Sequence, residues 1–306
     1  MATQVVKAPV TDPAARRSAD YKTVGINGCS LAYRDRGSGD PVVFVHGGIS
    51  DLRIWERQMV AFSENHRAVA YSRRYAWPNS DIPEGVDDQM LPHVDDLAAL
   101  LGALDLEPAH LVGNSWGGFI CLLTALRHPE LVRSLAVEEP PVLPLFMSTP
   151  PKPQEMLKVF LTRPRTGAAL VGFMARGFAP SISALKKGDL EGSVRIFACA
   201  VLGADVYESL PAEVKAMMIA NAGTHRAQFL GAGFPIFTDN DARRITTPTL
   251  LITGQKSPAF MRRLTDRLEQ LLPNTERVSV PNASHVMHYE NPGALNGAVL
   301  DFIARH

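Results

Sequence analysis

Residues His110–Phe119 read HLVGNSWGGF. Within them, Gly113-Asn114-Ser115-Trp116-Gly117 fits the pattern G-x-S-x-G, directly after an apolar stretch and directly before a run with helical spacing. A serine hydroxyl is a poor nucleophile until its surroundings activate it. A sharp turn from strand to helix supplies part of that setting, because it holds the serine clear of the sheet at the positive end of a helix. Small residues two positions before and after the serine let neighbouring backbone pass. The pattern alone is common, and a glycine turn joining strand to helix also fits it; the strand–helix context is what favours catalysis.

Two further stretches supply chemistry that a serine nucleophile needs. In FVHGGISDLRIW (Phe44–Trp55), a His-Gly-Gly loop follows an apolar run. Acyl transfer builds negative charge on the substrate oxygen, and two backbone N–H groups stabilise it. Trp116 and Gly48 are the expected donors. In VPNASHVMHYENP (Val280–Pro292), His285 and His288 follow the last expected strand. Either imidazole is of the type that takes a proton from serine. His285 stands first, nearest the strand end, and His288 lies closer to the next helix. The H-x-x-H spacing has no third ligand to make a metal site of it, and no cofactor is expected. His46, His66, His93, His110, His225 and His306 have no comparable context.

The elements that position these residues are legible as apolar runs. Asn27-Gly28 between two apolar stretches signals a hairpin. Pro41–Val45, Arg67–Tyr71, Ala109–Val112, Ser134–Glu138, Thr249–Thr253 and Arg277–Val280 read as strands buried on both faces. Met90–Leu104 places Val94, Leu97, Leu100, Leu101 and Leu104 on one stripe, and Trp116–Arg127, Pro258–Leu272 and Gly293–Ala304 are further helices. The alternation predicts an α/β fold with a doubly wound, mostly parallel sheet. It stops after Pro140 and resumes near Thr246. Residues 141–235 are therefore expected as an inserted helical cap, with helices such as Pro153–Leu161 and Pro211–Asn221. The core is 21–140 and 236–306, and 1–20 is a flexible extension. The Phe and Met side chains of the cap, Phe173, Phe178, Met217 and Met218 among them, suit either an apolar substrate pocket or the cap's own core.

In this order the pieces resemble the α/β-hydrolase superfamily, from about Tyr21 to the C-terminus. VHGG looks like its oxyanion loop, GNSWGG like its nucleophile elbow, and SHVMHYENP is similar to its terminal GHxxHxExP stretch. The resemblance implies an eight-stranded sheet and assigns the base to His285 rather than His288. It also exposes a gap. Many members keep a catalytic Asp after the strand that here reads TLLIT, and this chain has Ser257 there. Other members carry the acid one strand earlier, in HEPP or HELP. Here that strand ends LAVEEPP, which implies Glu139 as the acid. Glu138 is the adjacent rival; successive residues leaving a strand point opposite ways, so only one should face His285. Solvation of both glutamates at the strand end is the bland alternative. Asp239 and Asp241 are fallbacks.

Composition narrows the rest. The 306 residues carry 31 Lys+Arg and 31 Asp+Glu, a balance that suggests neither nucleic acid nor an anionic membrane as partner. Cys29, Cys121 and Cys199 form no disulfide framework. No apolar run approaches the roughly 20 residues of a membrane helix, and the N-terminus shows no secretory pattern, so a cytoplasmic location is expected. Arg73 and Arg74, in YSRRYAWPNSD, suit an anionic substrate group or pairing with Asp81 or other acids. Ser115 argues against the alkyl-enzyme chemistry of an Asp nucleophile. The expected function is a serine hydrolase of a small, apolar carboxylic ester or lactone, with that small molecule as partner and a homodimer allowed. The alternatives are cofactor-free haloperoxidase or perhydrolase activity, C–C or thioester hydrolysis, and a ligand-binding receptor on a hydrolase fold.

Overall fold

The computed structural model describes residues 21–306, so the expected extension 1–20 lies outside the described residues. Asn27 and Gly28 both take positive φ, 46° and 77°. This is the left-handed turn that matches the twist of a two-residue hairpin, and it joins β1 (Lys22–Ile26) to β2 (Cys29–Arg36) with Ile26 opposite Cys29. The apolar runs form β3 (Pro41–Val45), β4 (Arg67–Tyr71), β5 (Ala109–Asn114), β6 (Val132–Glu138), β7 (Thr249–Gly254) and β8 (Thr275–Val280). All eight make one sheet in the order β1-β2-β4-β3-β5-β6-β7-β8. β1 and β2 are antiparallel to their neighbours, and the pairs from β4 through β8 are parallel.

Parallel strands need crossover helices, and these cover the faces. The core helices are α1 (Glu56–Phe62), α2 (Met90–Ala103) and α3 (Trp116–Arg127). Between β6 and β7 run α4 (Pro153–Thr162), α5 (Pro164–Phe173), α6 (Ala179–Lys186), α7 (Leu190–Leu202), α8 (Ala204–Ser209), α9 (Ala212–Ala220), α10 (Ala222–Leu230) and α11 (Asp239–Arg244). The chain closes with α12 (Ala259–Glu269), α13 (Met287–Glu290) and α14 (Pro292–Ile303). β3, β4 and β5 are buried almost throughout, so both of their faces are covered.

One expectation differs from the structure and a second is qualified by it. Arg277–Val280 was read as a buried strand, yet β8 is an edge whose Glu276, Arg277 and Ser279 are exposed. Arg277 pairs there with Asp266 and Glu269 of α12, and charge on an edge discourages further strand pairing. The second concerns length alone. α5, a wide turn at Met174–Phe178 and α6 form one continuous helix, Pro164–Lys186, of 23 residues. By length and composition it passes as long and apolar enough to cross a membrane, but Arg165 and Arg176 break it, so the expectation that no unbroken apolar run approaches that length holds. Here it packs against α7 and α12.

Candidate active site

Ser115 lies between β5 and α3 with φ 50° and ψ −119°, a left-handed conformation that costs a non-glycine residue energy. Its N–H donates to the Glu138 carbonyl at 2.8 Å, which ties the turn to the adjacent strand. The glycines around it are set by space. A side chain at Gly117 would collide with the Val45 and His46 carbonyl oxygens, and one at Gly113 would stand 2.7 Å from the Gly117 oxygen. α3 therefore approaches the end of β3 closely enough to bring Trp116 beside the His46-Gly47-Gly48 loop. The Trp116 N–H belongs to the first turn of α3, where amides have no partner within the helix. Gly48, Ser115 and Trp116 line one cavity of about 230 Å³.

His285 and Glu139 meet across 146 positions of sequence. The His285 Nδ1–H donates to Glu139 Oε2 at 2.7 Å. Glu139 is fully buried and takes φ 44°. Its other oxygen accepts from the Gly254 N–H at the end of β7, at 3.1 Å. The carboxylate is thus fixed at both oxygens, between the ends of β6 and β7. His285 and Ser115 border one small cavity. The Ser284 N–H and hydroxyl both donate to Glu290, which holds the loop carrying His285.

Glu138 is also fully buried, so neither glutamate is solvated. It faces a different imidazole. The His288 Nδ1–H donates to Glu138 Oε2 at 2.7 Å, and Trp55 packs tilted against the His288 ring with 4.8 Å between centres. Asn114 joins the two pairs, donating to Glu138 Oε2 at 3.2 Å and to the His285 carbonyl at 3.1 Å. The structure therefore holds two buried His–Glu pairs side by side; both histidines border the small cavity that Ser115 lines, and the Glu139 carboxylate that holds His285 is the one tied to the end of β7. Ser257 is buried, and its hydroxyl has no partner among the described residues. Asp239 pairs with Arg267, and Asp241 accepts from the Thr238 N–H and hydroxyl in a helix cap, so both fallback acids are engaged elsewhere.

Sequence reasoning missed what supports the His46-Gly47-Gly48 loop. Arg73 is 1% exposed. Its guanidinium donates to the His46 carbonyl at 3.2 Å and the Gly47 carbonyl at 2.8 Å, and lies 4.9 Å from the Trp116 ring centre. It grips the loop from below rather than meeting an anionic ligand. Arg74 forks onto Asp96 with two 2.6 Å bonds, so its acid partner is not Asp81. The His46 Nε2 accepts from the Arg73 N–H at 3.0 Å, which leaves Nδ1–H to donate to the Gly47 carbonyl at 2.9 Å. Burial, with the Arg73 charge adding to it, holds His46 well below its ordinary pKa and hence neutral. Behind Gly48, Asp88 accepts from His93 at 2.8 Å and from Gln228 at 2.8 Å. A buried arginine at a strand end leaves no periodic mark, so only its place directly after β4 was a signal.

Comparison with known proteins sets this geometry in context. The chain is 26% identical over 302 residues to the 2-(acetamidomethylene)succinate hydrolase of Mesorhizobium japonicum, covering 95% of this chain and 99% of that one. It is 26% identical over 264 residues to carboxylesterase YbfK of Bacillus subtilis, covering 86% and 79%. The enol-lactonase from Burkholderia xenovorans superposes with a TM-score of 0.68 at 20% identity, over 92% of this chain and all of that one; at that identity the likeness is one of fold. Residues 40–292 match the alpha/beta hydrolase fold family, a span that takes in the Gly48 loop, the Ser115 turn and both buried His–Glu pairs. A match of that extent, on a sheet of this order, makes the chain a member of the alpha/beta hydrolase family.

Proposed function

We propose that the chain is a serine hydrolase of carboxylic esters or lactones, working through an acyl-enzyme on Ser115. His285 takes the Ser115 proton as the hydroxyl attacks the substrate carbonyl. The Gly48 and Trp116 N–H groups stabilise the oxyanion that forms. Collapse of that intermediate expels the alkoxide, to which His285 returns the proton, and a water activated by His285 then releases the acid. Glu139 holds the imidazole in the Nδ1–H tautomer and stabilises the imidazolium. The observation that carries this reading is the 2.7 Å bond between His285 and a fully buried Glu139 whose second oxygen is already occupied.

The insert 141–235 is read as a cap over the site. Phe173, Phe178, Phe197, Phe229 and Phe234 line the cavity with Ser115, which favours an apolar acyl part. Thioesters and activated C–C bonds make the same demands on the nucleophile and oxyanion donors, and they differ only in the leaving group. The test is turnover of p-nitrophenyl esters, lactones, thioesters and a 1,5-diketone of graded length, with mass spectrometry of the trapped protein. Ester or lactone turnover with an acyl adduct on Ser115 is the expected result. Turnover of the diketone alone would move the assignment to C–C hydrolysis. An active Ser115→Ala variant would end the acyl-enzyme reading.

A further inference from the structure

His225 has no role in the chemistry above, yet its ring lines the same cavity as Ser115. It stands on α10, 1% exposed, against Ser181 of α6 and Ser193 of α7, both fully buried. The Ser193 and Ser181 hydroxyls lie 3.0 and 3.3 Å from His225 Nε2, and 2.6 Å from each other. Three helices of the insert thus meet in a polar cluster on one nitrogen of one ring. Phe229 and Phe197 flank that ring, with centres 4.2 and 5.3 Å away. The other nitrogen, Nδ1, has no hydrogen-bond partner among the described residues. Nδ1 is not among the fully enclosed polar atoms that lack a partner, so it is accessible, and a ligand group in the cavity that His225 lines can supply the bond that the serines leave open.

We propose that His225 is the polar anchor of the substrate pocket, and that preferred substrates carry a neutral amide or hydroxyl group hydrogen-bonded to its Nδ1. Amides and hydroxyls both donate and accept, so either tautomer that the serines impose is served. Burial pushes His225 down to about 4, so the ring is uncharged near neutral pH. Among the described residues no Lys or Arg lines the cavity, and a carboxylate there would lack a counter-charge from them. Gln228, the side-chain amide on the wall, already donates an N–H to Asp88. This inference rests on the reading that the cavity holds the substrate.

The test compares p-nitrophenyl esters of equal length, one set plain alkyl and one with a single amide moved stepwise along the acyl chain. At one amide position the wild-type protein should show kcat/KM roughly 10- to 100-fold above its plain counterpart. His225→Leu and His225→Phe, both apolar and of suitable bulk, should bring the ratio of kcat/KM between the amide ester and its plain counterpart down to about one, whatever change the two share. Methyl ketone analogues, bound by the Ser115→Ala protein, should show the same preference in Kd. The ketone carrying the amide should also shift the His225 ring nitrogen resonances of the otherwise unaltered ring, which a purely structural imidazole would not show. Absence of any amide preference, or equal losses on both ester sets, overturns the proposal. If no ester is turned over but the ketones still show an His225-dependent preference, the esterase reading fails and the anchor stands.

Discussion

At the scale of single residues, the proposed mechanism gives chemistry to one and support to the other of two neighbouring glutamates, both buried and both bonded to a histidine at 2.7 Å. Glu139→Gln keeps the shape of the side chain but removes the charge that stabilises His285 as an imidazolium. Loss of kcat up to about 10⁴-fold is expected, by analogy with the acid of the serine-protease triad, with the unfolding midpoint little changed. His288→Ala leaves the buried Glu138 with Asn114 alone as partner, its Oε1 already lacking one among the described residues. Its expected cost is in stability, roughly 1–3 kcal/mol, while turnover per folded molecule stays near wild type. Denaturant melts and active-site titration of the two variants read these quantities separately. If His288→Ala silences a folded protein while Glu139→Gln does not, the roles of the two pairs are exchanged. Ser115→Ala and His285→Ala should each remove nearly all turnover, and the double variant should be no worse than either, because groups acting as a unit do not lose additively.

Between elements, the loop after β3 is held by a side chain that leaves β4. Arg73 supplies the only side-chain hydrogen bonds that the described residues make to the His46 and Gly47 carbonyls, apart from the His46 ring itself. Arg73→Met preserves bulk and removes both donors. The Gly48 N–H should then lose its fixed place, and a donor misplaced by about 1 Å forfeits much of its effect on the transition state. A fall in kcat of roughly 10- to 100-fold, with KM for the same ester much less affected, is expected; unchanged kcat would show that the loop holds itself. Burial of this arginine was not legible in the sequence, whereas the strands were, and the difference is physical. A strand buried on both faces must be apolar at every position, so PVVFV and TLLIT announce themselves. An arginine whose charge is met by carbonyl oxygens is specified by tertiary geometry alone. The glycines of GNSWGG were legible for a partly local reason: a side chain at Gly113 would strike the Gly117 carbonyl within the motif itself, whereas the Val45 and His46 carbonyls that exclude one at Gly117 lie outside it, at the end of β3. The insert gave least, since only two of its helices had clear spacing, and His225 could not be distinguished from any other isolated histidine.

Across the whole molecule, histidines buried in the neutral form make the fold sensitive to mild acid. His110 on β5 bonds to Ser134 of β6 at 2.7 Å, and burial pushes it down to about 4, as it does His225 in the insert. His46 and His93 are lowered as well, each by burial first. The unfolded chain binds protons at these imidazoles near pH 6.5, whereas the folded protein resists until about pH 4 at His110 and His225. The unfolded state therefore holds more protons through that window, and stability falls as pH drops from about 6.5 toward 4. Ordinary carboxylates stay ionised in both states down to about pH 5, so the loss above that pH belongs to the histidines. His110 and His225 alone should each cost about 1–2 kcal/mol between pH 7 and pH 5. Urea unfolding at pH 7, 6 and 5 measures this, and His110→Gln, which can still bond Ser134, should flatten the dependence by its own share. A wild-type unfolding midpoint that does not move between pH 7 and pH 5 would mean that these rings are already protonated in the fold, or reached by water, and the neutral anchor proposed for His225 would then need the same revision.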